Sequence, residues 1–320
     1  MDSQTEEIRD SLFGGNFQTA FDISKQWLDN LALDQRNTPE YLRAQEAFIY
    51  SRYFLHRQER ILRVPSGEAR ARLFLEFLYG LGEIRKENKY DKHGDPLFWE
   101  TISSFIHAQV AEGFAKAFAG QKSYNLDDKE VIQLSVSLLK VGKWRQSLEA
   151  LTFMHRYNPY NPEVHLLMSF AQYNLKDETL FLFHFREALF LKPELLGDYQ
   201  EFVPVEIFRK LENINTGEDD DIYKYRNYAL LLEINGFYKA PRPIIDKELT
   251  RIEADFLPEY EQFNKNREFF HNLLPRLLLS LCWLIHAYKQ RDDYDKTEFF
   301  RNIMQEISPD TWDTFFEKGL

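Results

Sequence analysis

The sequence predicts an all-α chain in which antiparallel helix pairs follow one another along the polypeptide. Three observations carry this expectation. Two nearly matching phrases, Arg156-Tyr157-Asn158-Pro159 and Phe190-Leu191-Lys192-Pro193, stand 34 residues apart, the length of one helix-turn-helix unit. Apolar residues recur at spacings of three, four and seven over long stretches, as helices that pack on one face require. No alternating strand pattern competes with them.

In chain order, Gly15-Asn16-Phe17 and Ala20 mark a first turn and one packing position. Residues 40–63 form a long helix candidate in which Tyr41, Phe48, Leu55 and Leu62 recur every seven residues, a helix-packing seam. Pro65-Ser66-Gly67 ends it, a second helix covers about 67–89, and Asp91 to Pro96 makes a polar turn before an alanine-rich helix over about 97–119. Segment 128–161 supplies Val131, Leu134, Ser135 and Leu138, then the turn Gly142-Lys143-Trp144, then Ser147, Leu151 and Pro159. Segment 162–195 opens on Asn161-Pro162-Glu163, a capping side chain, proline at the first helical position and an early acid. It continues with His165, Met168, Ser169 and Gln172, then Phe185, Ala188, Leu189, Leu191 and Pro193. The stretch 212–221 is acidic and polar and reads as a loop, and Ala240-Pro241-Arg242-Pro243 is a second break. Helices should then span about 244–265 and 267–289. A weaker copy of the unit lies at 278–311, with Leu281, Leu284, Tyr288, Tyr294 and Pro309 in place and Ile285 bulkier than the pattern. Four regions follow: 1–122, a helical region with a degenerate start; 128–195, two repeats; 196–243, helices and an acidic linker; and 244–320, helices with a repeat and a cap.

These two full units resemble the tetratricopeptide repeat family, and Glu187-Ala188-Leu189-Phe190-Leu191-Lys192-Pro193-Glu194 is similar to its closing phrase. The resemblance, counting the third copy and the first turn, covers roughly a third to two fifths of the chain. It implies a right-handed superhelix of antiparallel helix pairs, an α-solenoid with degenerate repeats. Two departures, Phe181 for a small residue and Lys176 for glycine, imply wider helix packing or a shifted turn. The family lines its concave groove with first-helix positions, which here are Lys129, Ile132, Val136, Leu139 and Lys140, then Glu163, Leu166, Phe170, Tyr173 and Asn174. Ile132 and Val136 stand where the members that grip terminal carboxylates carry lysine and asparagine. A helix or extended peptide held by apolar anchors is therefore the expected ligand, unless the chain's own flanking helix fills the groove.

A second candidate surface comes from charge. Residues 51–72 hold six arginines against two glutamates, and Arg52, His56, Arg60 and Arg63 fall at helical spacings of four, four and three. They make a landing strip for an acidic partner or a solvated helix face. The tail Thr311-Trp312-Asp313-Thr314-Phe315-Phe316 offers large rings either as a hot spot or as a cap on the last repeat.

The net charge of -11 opposes a general nucleic-acid binder, which must offset the phosphate charge. Cys282 is the only cysteine, so an internal disulfide is excluded and a reducing compartment fits. The start Met1-Asp2-Ser3-Gln4-Thr5-Glu6-Glu7 has no export signal, and a cytoplasmic location is expected. Leu277 to Ile285, the greasiest run, reaches about half the roughly 20 residues of a membrane span and reads as a buried helix. The histidines, His155, His165 and His184 among them, lack a companion ligand at metal spacing, and Asp219-Asp220-Asp221 lacks the pattern of a calcium loop. No catalytic residue, cofactor or metal is assigned. The expected function is a non-enzymatic scaffold or adaptor for a protein partner, with self-association open. The alternative is a closed helical domain holding a small apolar ligand or lipid.

Overall fold

The computed structural model describes residues 3–31, 38–90, 95–118, 126–212, 221–238 and 242–317, and these are helices and turns with no strand among them. The chain divides into two compact units, Met1–Leu151 and Thr152–Leu320. The division falls inside the second helix of segment 128–161. The acidic loop lies outside the described residues at 213–220, as does 239–241 of the proline-containing break.

Unit 1 contains α1 (Ser3–Phe13), α2 (Phe17–Asn30), α3 (Pro39–Leu55), α4 (Gln58–Arg63), α5 (Glu68–Glu87), α6 (Pro96–Phe118), α7 (Asp128–Lys140) and the start of α8 (Trp144–Tyr157). Helix α2 packs on α1 and α3, while α6 touches α1, α3, α5 and α7. The centre falls to α6 because Ile102, Ile106, Val110 and Phe114 bury completely. Its Gly113 lets α5 approach closely, since a Cβ there would meet Gly67 O at 2.8 Å and the Ala71 methyl at 2.9 Å.

The single helix expected over 40–63 is two. Helix α3 stops at Leu55 because the Arg57 guanidinium lies 3.6 Å over the Tyr53 ring and donates to Tyr53 O at 3.1 Å, capping a terminal carbonyl. The heptad seam is also corrected. Leu62 is 72% exposed, and the buried stripe runs instead through Ala44, Ala47, Tyr50, Ser51 and Phe54. Small residues there admit a close neighbour, which the larger seam residues would hold off.

Unit 2 continues with α9 (Pro162–Asn174), α10 (Glu178–Leu191), α11 (Leu195–Asp198), α12 (Val205–Glu212), α13 (Asp221–Ile234), α14 (Asp246–Lys265), α15 (Leu274–Lys289), α16 (Tyr294–Ile307) and α17 (Pro309–Glu317). Helix α9 pairs with α10, and α15 packs on α13, α14 and α16. The start expected at 267 moves to Leu274, because Pro275 suits the first turn of a helix and a one-turn helix, His271–Leu273, precedes it. The run Leu277–Tyr288 is buried along its whole length, as its composition predicts. No helix among the described residues is long and apolar enough to cross a membrane. Phe315 of α17 is fully buried, 5.1 Å from the His286 ring, so this part of the tail seals the unit rather than presenting a hot spot.

One turn recurs. Gly15, Gly142, Lys176 and Asp292 occupy the same position of the four repeat-like segments, and all are left-handed, with φ of 74°, 73°, 64° and 56°. At each, the following N–H reaches back five residues: Asn16 to Ser11, Lys143 to Leu138, Asp177 to Gln172 and Asp293 to Tyr288, at 2.8–3.1 Å. This is the Schellman closure of a helix end. The next helix starts two residues after each left-handed residue, and the side chains that follow at Ala20, Ser147, Phe181 and Thr297 are all buried. Lys176 therefore does not shift its turn, contrary to the expectation from sequence.

A non-glycine residue in this conformation carries a steric cost between its Cβ and backbone. Asp292→Gly is thus expected to stabilise the protein by about 0.5–1 kcal/mol, and Gly142→Ala to destabilise it by a similar amount. Urea midpoints of the two variants check the opposite signs, and a destabilising Asp292→Gly contradicts the argument.

Candidate functional site

The residues expected to line a groove divide between the two units. In unit 1, α7 begins with a capping box, Asp127 accepting from Glu130 N and Glu130 accepting from Asp127 N. Lys129 and Lys140 are exposed and Val136 is half-buried, whereas Ile132 and Leu139 are 8% and 6% exposed. The wall there is mostly closed.

In unit 2, Asn161 caps α9 by accepting from Glu163 N and Val164 N. The predicted face is covered by the chain itself. Tyr199 donates to the Glu163 carboxylate, Phe202 stacks on Phe170 with centroids 5.8 Å apart, and Tyr173 donates to Glu206 at 2.9 Å. Leu166 and Phe170 are fully buried. They are core residues, and their assignment as partner-binding residues is corrected accordingly. Tyr173 and Asn174 stay half-buried, with Asn174 donating to Phe170 O at 2.8 Å. The Glu206 hydrogen bond raises the Tyr173 pKa. Sequence spacing placed these residues on one face correctly. It could not show that residues 199–206, beyond the second repeat, return to that face.

The basic strip is changed by the break after α3. Arg52 and His56 are exposed at the end of α3, with Arg52 5.3 Å from the centre of the Phe48 ring. Arg60 makes a two-pronged pair with Glu76 at 2.7 and 2.6 Å, and Arg63 pairs with Glu59 at 2.8 Å. Two of the three arginines of the strip are therefore engaged by carboxylates, and the expected continuous helix face does not form.

Two groupings in unit 2 escaped the sequence reading. The first is a cleft of about 400 Å³ with Phe190, Leu191, Pro193 and Leu279 in its wall and Lys192 and Arg276 on its polar side. Arg226, also in the wall, is held by Glu194 at 2.9 Å and donates to Asn272 O at 3.0 Å, while Arg276 pairs with Glu259 at 3.0 Å. It forms where the family-like phrase ends α10, next to the first turns of α15. The phrase was legible as a helix end. The neighbour that turns it into a cleft comes from more than 80 residues further on.

The second grouping is polar, with two of its three rings, His165 and His184, buried and His155 half-buried. His155 of α8, His165 of α9 and His184 of α10 bring their ring centres within 4.9–5.7 Å of one another. Burial lowers the pKa of His165 to about 4 and of His184 to about 3, and also lowers that of His155. The repeat register could have found this set, since it stacks the end of one hairpin on the next. Spacing along one helix, the usual metal signal, could not. Among the described residues no three His, Cys, Asp or Glu side chains are placed to hold a metal ion.

Beside them, Arg186 pairs with Glu233, and Arg242 is bound by both Glu187 and Glu248, all buried. Burial raises the Glu187 pKa, more than its hydrogen bonds to Arg242 lower it. Burial also opposes the Arg242 charge, but its two carboxylates more than offset this and hold its pKa above the usual value. These groups are saturated with one another and serve the core. No protein-family model, curated protein or solved structure matches the chain.

Proposed function

We propose that the protein is a non-enzymatic recognition scaffold built from tetratricopeptide-like helical hairpins in a right-handed superhelical array, and that it holds a helix or peptide segment of a protein partner. The observation that supports this reading is the recurring left-handed turn at equivalent positions of four hairpins, each closed by the same pair of backbone bonds. Such hairpins gain stability by stacking and commonly use a lateral surface for binding. Because residues 199–206 cover the face of α9, the cleft beside Phe190 is the better anchor for a partner side chain. Its apolar wall supplies burial, and Lys192 at the rim supplies register for a carboxylate.

Leu191→Arg and Lys192→Glu test this, since Leu191 is only half-buried and Lys192 is exposed. Both variants are expected to reduce capture of the native partner at least about tenfold in crosslinking pull-downs, about 1.4 kcal/mol, while the melting temperature stays near that of the wild type. Undiminished capture by both would remove the cleft from the proposal. The cleft volume also lies within the range of small-molecule sites, which supports the second reading, a helical domain that carries a small apolar ligand or lipid. Native mass spectrometry separates the two: a retained small molecule displaced by Leu191→Arg favours the second.

A further inference from the structure

We propose that His155, His165 and His184 form a proton-operated latch, whose charging in mild acid loosens the junction of α8, α9 and α10 while the rest of unit 2 stays folded. Each ring comes from a different helix, so the trio ties two successive hairpins together. His165 Nε2 lies 2.8 Å from Pro159 O, a group that only accepts, so this nitrogen carries the proton. A neutral His165 then has a bare Nδ1. His184 Nδ1 lies 3.0 Å from it and must be the donor. The relay thus runs His184 Nδ1–H to His165 Nδ1, and His165 Nε2–H to Pro159 O. The His155 Nδ1 is buried beside them without a hydrogen-bond partner among the described residues.

A proton added to His165 goes to Nδ1, where it faces the N–H of His184 and turns an acceptor into a second donor. A further charge on either neighbouring ring adds repulsion between cations with ring centres about 5 Å apart. The charged groups acting on His165 from elsewhere are Arg242, which opposes its charge, and Glu248, which favours it. They are bonded to each other, so their effects on His165 largely cancel. His184 feels His165 and His155. Water, which would solvate the cations at His165 and His184, 3% and 5% exposed, reaches those two rings only if the junction opens.

The direction follows from linkage. The closed rings have pKa values pushed below that of a free histidine, near 6.5. Above that value neither form binds protons and closure is undisturbed. As pH falls from about 6.5 towards 4, the open form takes up protons that the closed form refuses, and closure weakens. Between about pH 7 and pH 5 the open fraction is expected to rise roughly 25-fold if one ring titrates only on opening and roughly 600-fold if two do.

Hydrogen exchange on the full chain, corrected for intrinsic rates, tests this. Protection of amides over 155–187 is expected to fall by that factor between pH 7 and pH 5, while α16, which contains no histidine, changes little. His155→Phe and His184→Phe should flatten the pH response of 155–187. Should these variants not fold, ring-nitrogen NMR of the wild type carries the test alone. It is expected to report Nε2–H on His165, Nδ1–H on His184 and titration well below 6.5. The opposite tautomers, or independent titration near 6.5 with unchanged protection, would overturn the latch. So would equal loss of protection in α16, which marks global acid unfolding, or a titration that EDTA alters, which marks a bound metal.

Discussion

Arg242→Leu is expected to destabilise unit 2 by about 3–5 kcal/mol at neutral pH, the usual consequence of leaving a buried charge without its partner. Arg242 is 8% exposed and is shared by Glu187 from α10 and Glu248 from α14, themselves 5% and 7% exposed. Leucine retains much of the volume beside Trp283, whose ring centre lies 4.6 Å from the guanidinium carbon, so the loss is electrostatic more than steric. Two carboxylates then share a site without the cation that bound both, while Arg186, which also acts on Glu187, is already paired with Glu233. Glu187 already has a pKa raised by burial, and losing Arg242 raises it further. A carboxyl with a raised folded pKa binds protons that the unfolded chain releases, so acidification through that raised value restores stability to the variant. The deficit of Arg242→Leu should therefore shrink as pH falls from about 7 to about 5, and Glu187→Gln with Glu248→Gln added should recover much of it at neutral pH. Urea unfolding at both pH values checks the size and the sign. A deficit that grows on acidification would contradict the assignment.

Arg242 also shows where sequence reasoning stops. Its flanking prolines identify a break between helices correctly, and nothing local says that the arginine between them is buried. The two acids that call it inward lie 55 residues before it and 6 after it, and only the packed fold makes them neighbours. The helices themselves were legible because their causes are local: Asn161-Pro162 starts α9, and Gly142 ends a helix through backbone freedom. Lys176 and Asp292 hid two equivalent turns, because the hairpin imposes the left-handed geometry on residues that do not favour it. The break after α3 was hidden for another reason. It depends on Arg57 capping the Tyr53 carbonyl rather than on glycine or proline. Of the candidate site, Glu163, Leu166, Phe170 and Tyr173 were rightly placed on one face. That the face meets Tyr199, Phe202 and Glu206 is a tertiary fact without a sequence period.

Phe54→Ala tests the core of unit 1, with an expected loss of about 3–5 kcal/mol. Phe54 is fully buried on α3, and its ring meets Phe17 of α2 at 4.7 Å, Phe77 of α5 at 5.8 Å and Phe105 of α6 at 6.0 Å. One stacked and two edge-on contacts bring four helices to a single side chain. Truncation removes these ring contacts and leaves a cavity that α3 cannot close, because Ala44, Ala47 and Ser51 already hold its buried stripe at close range. Alanine favours the helix over phenylalanine by about 0.5 kcal/mol, far less than the packing loss. Tyr79→Ala, at a ring that is 73% exposed on α5, is the matched control and should fall within about 0.5 kcal/mol of wild type. Denaturant unfolding followed by circular dichroism measures both. A Phe54→Ala deficit below about 1 kcal/mol would mean that these helices do not converge on that ring, and the arrangement of unit 1 would have to be redrawn around another centre.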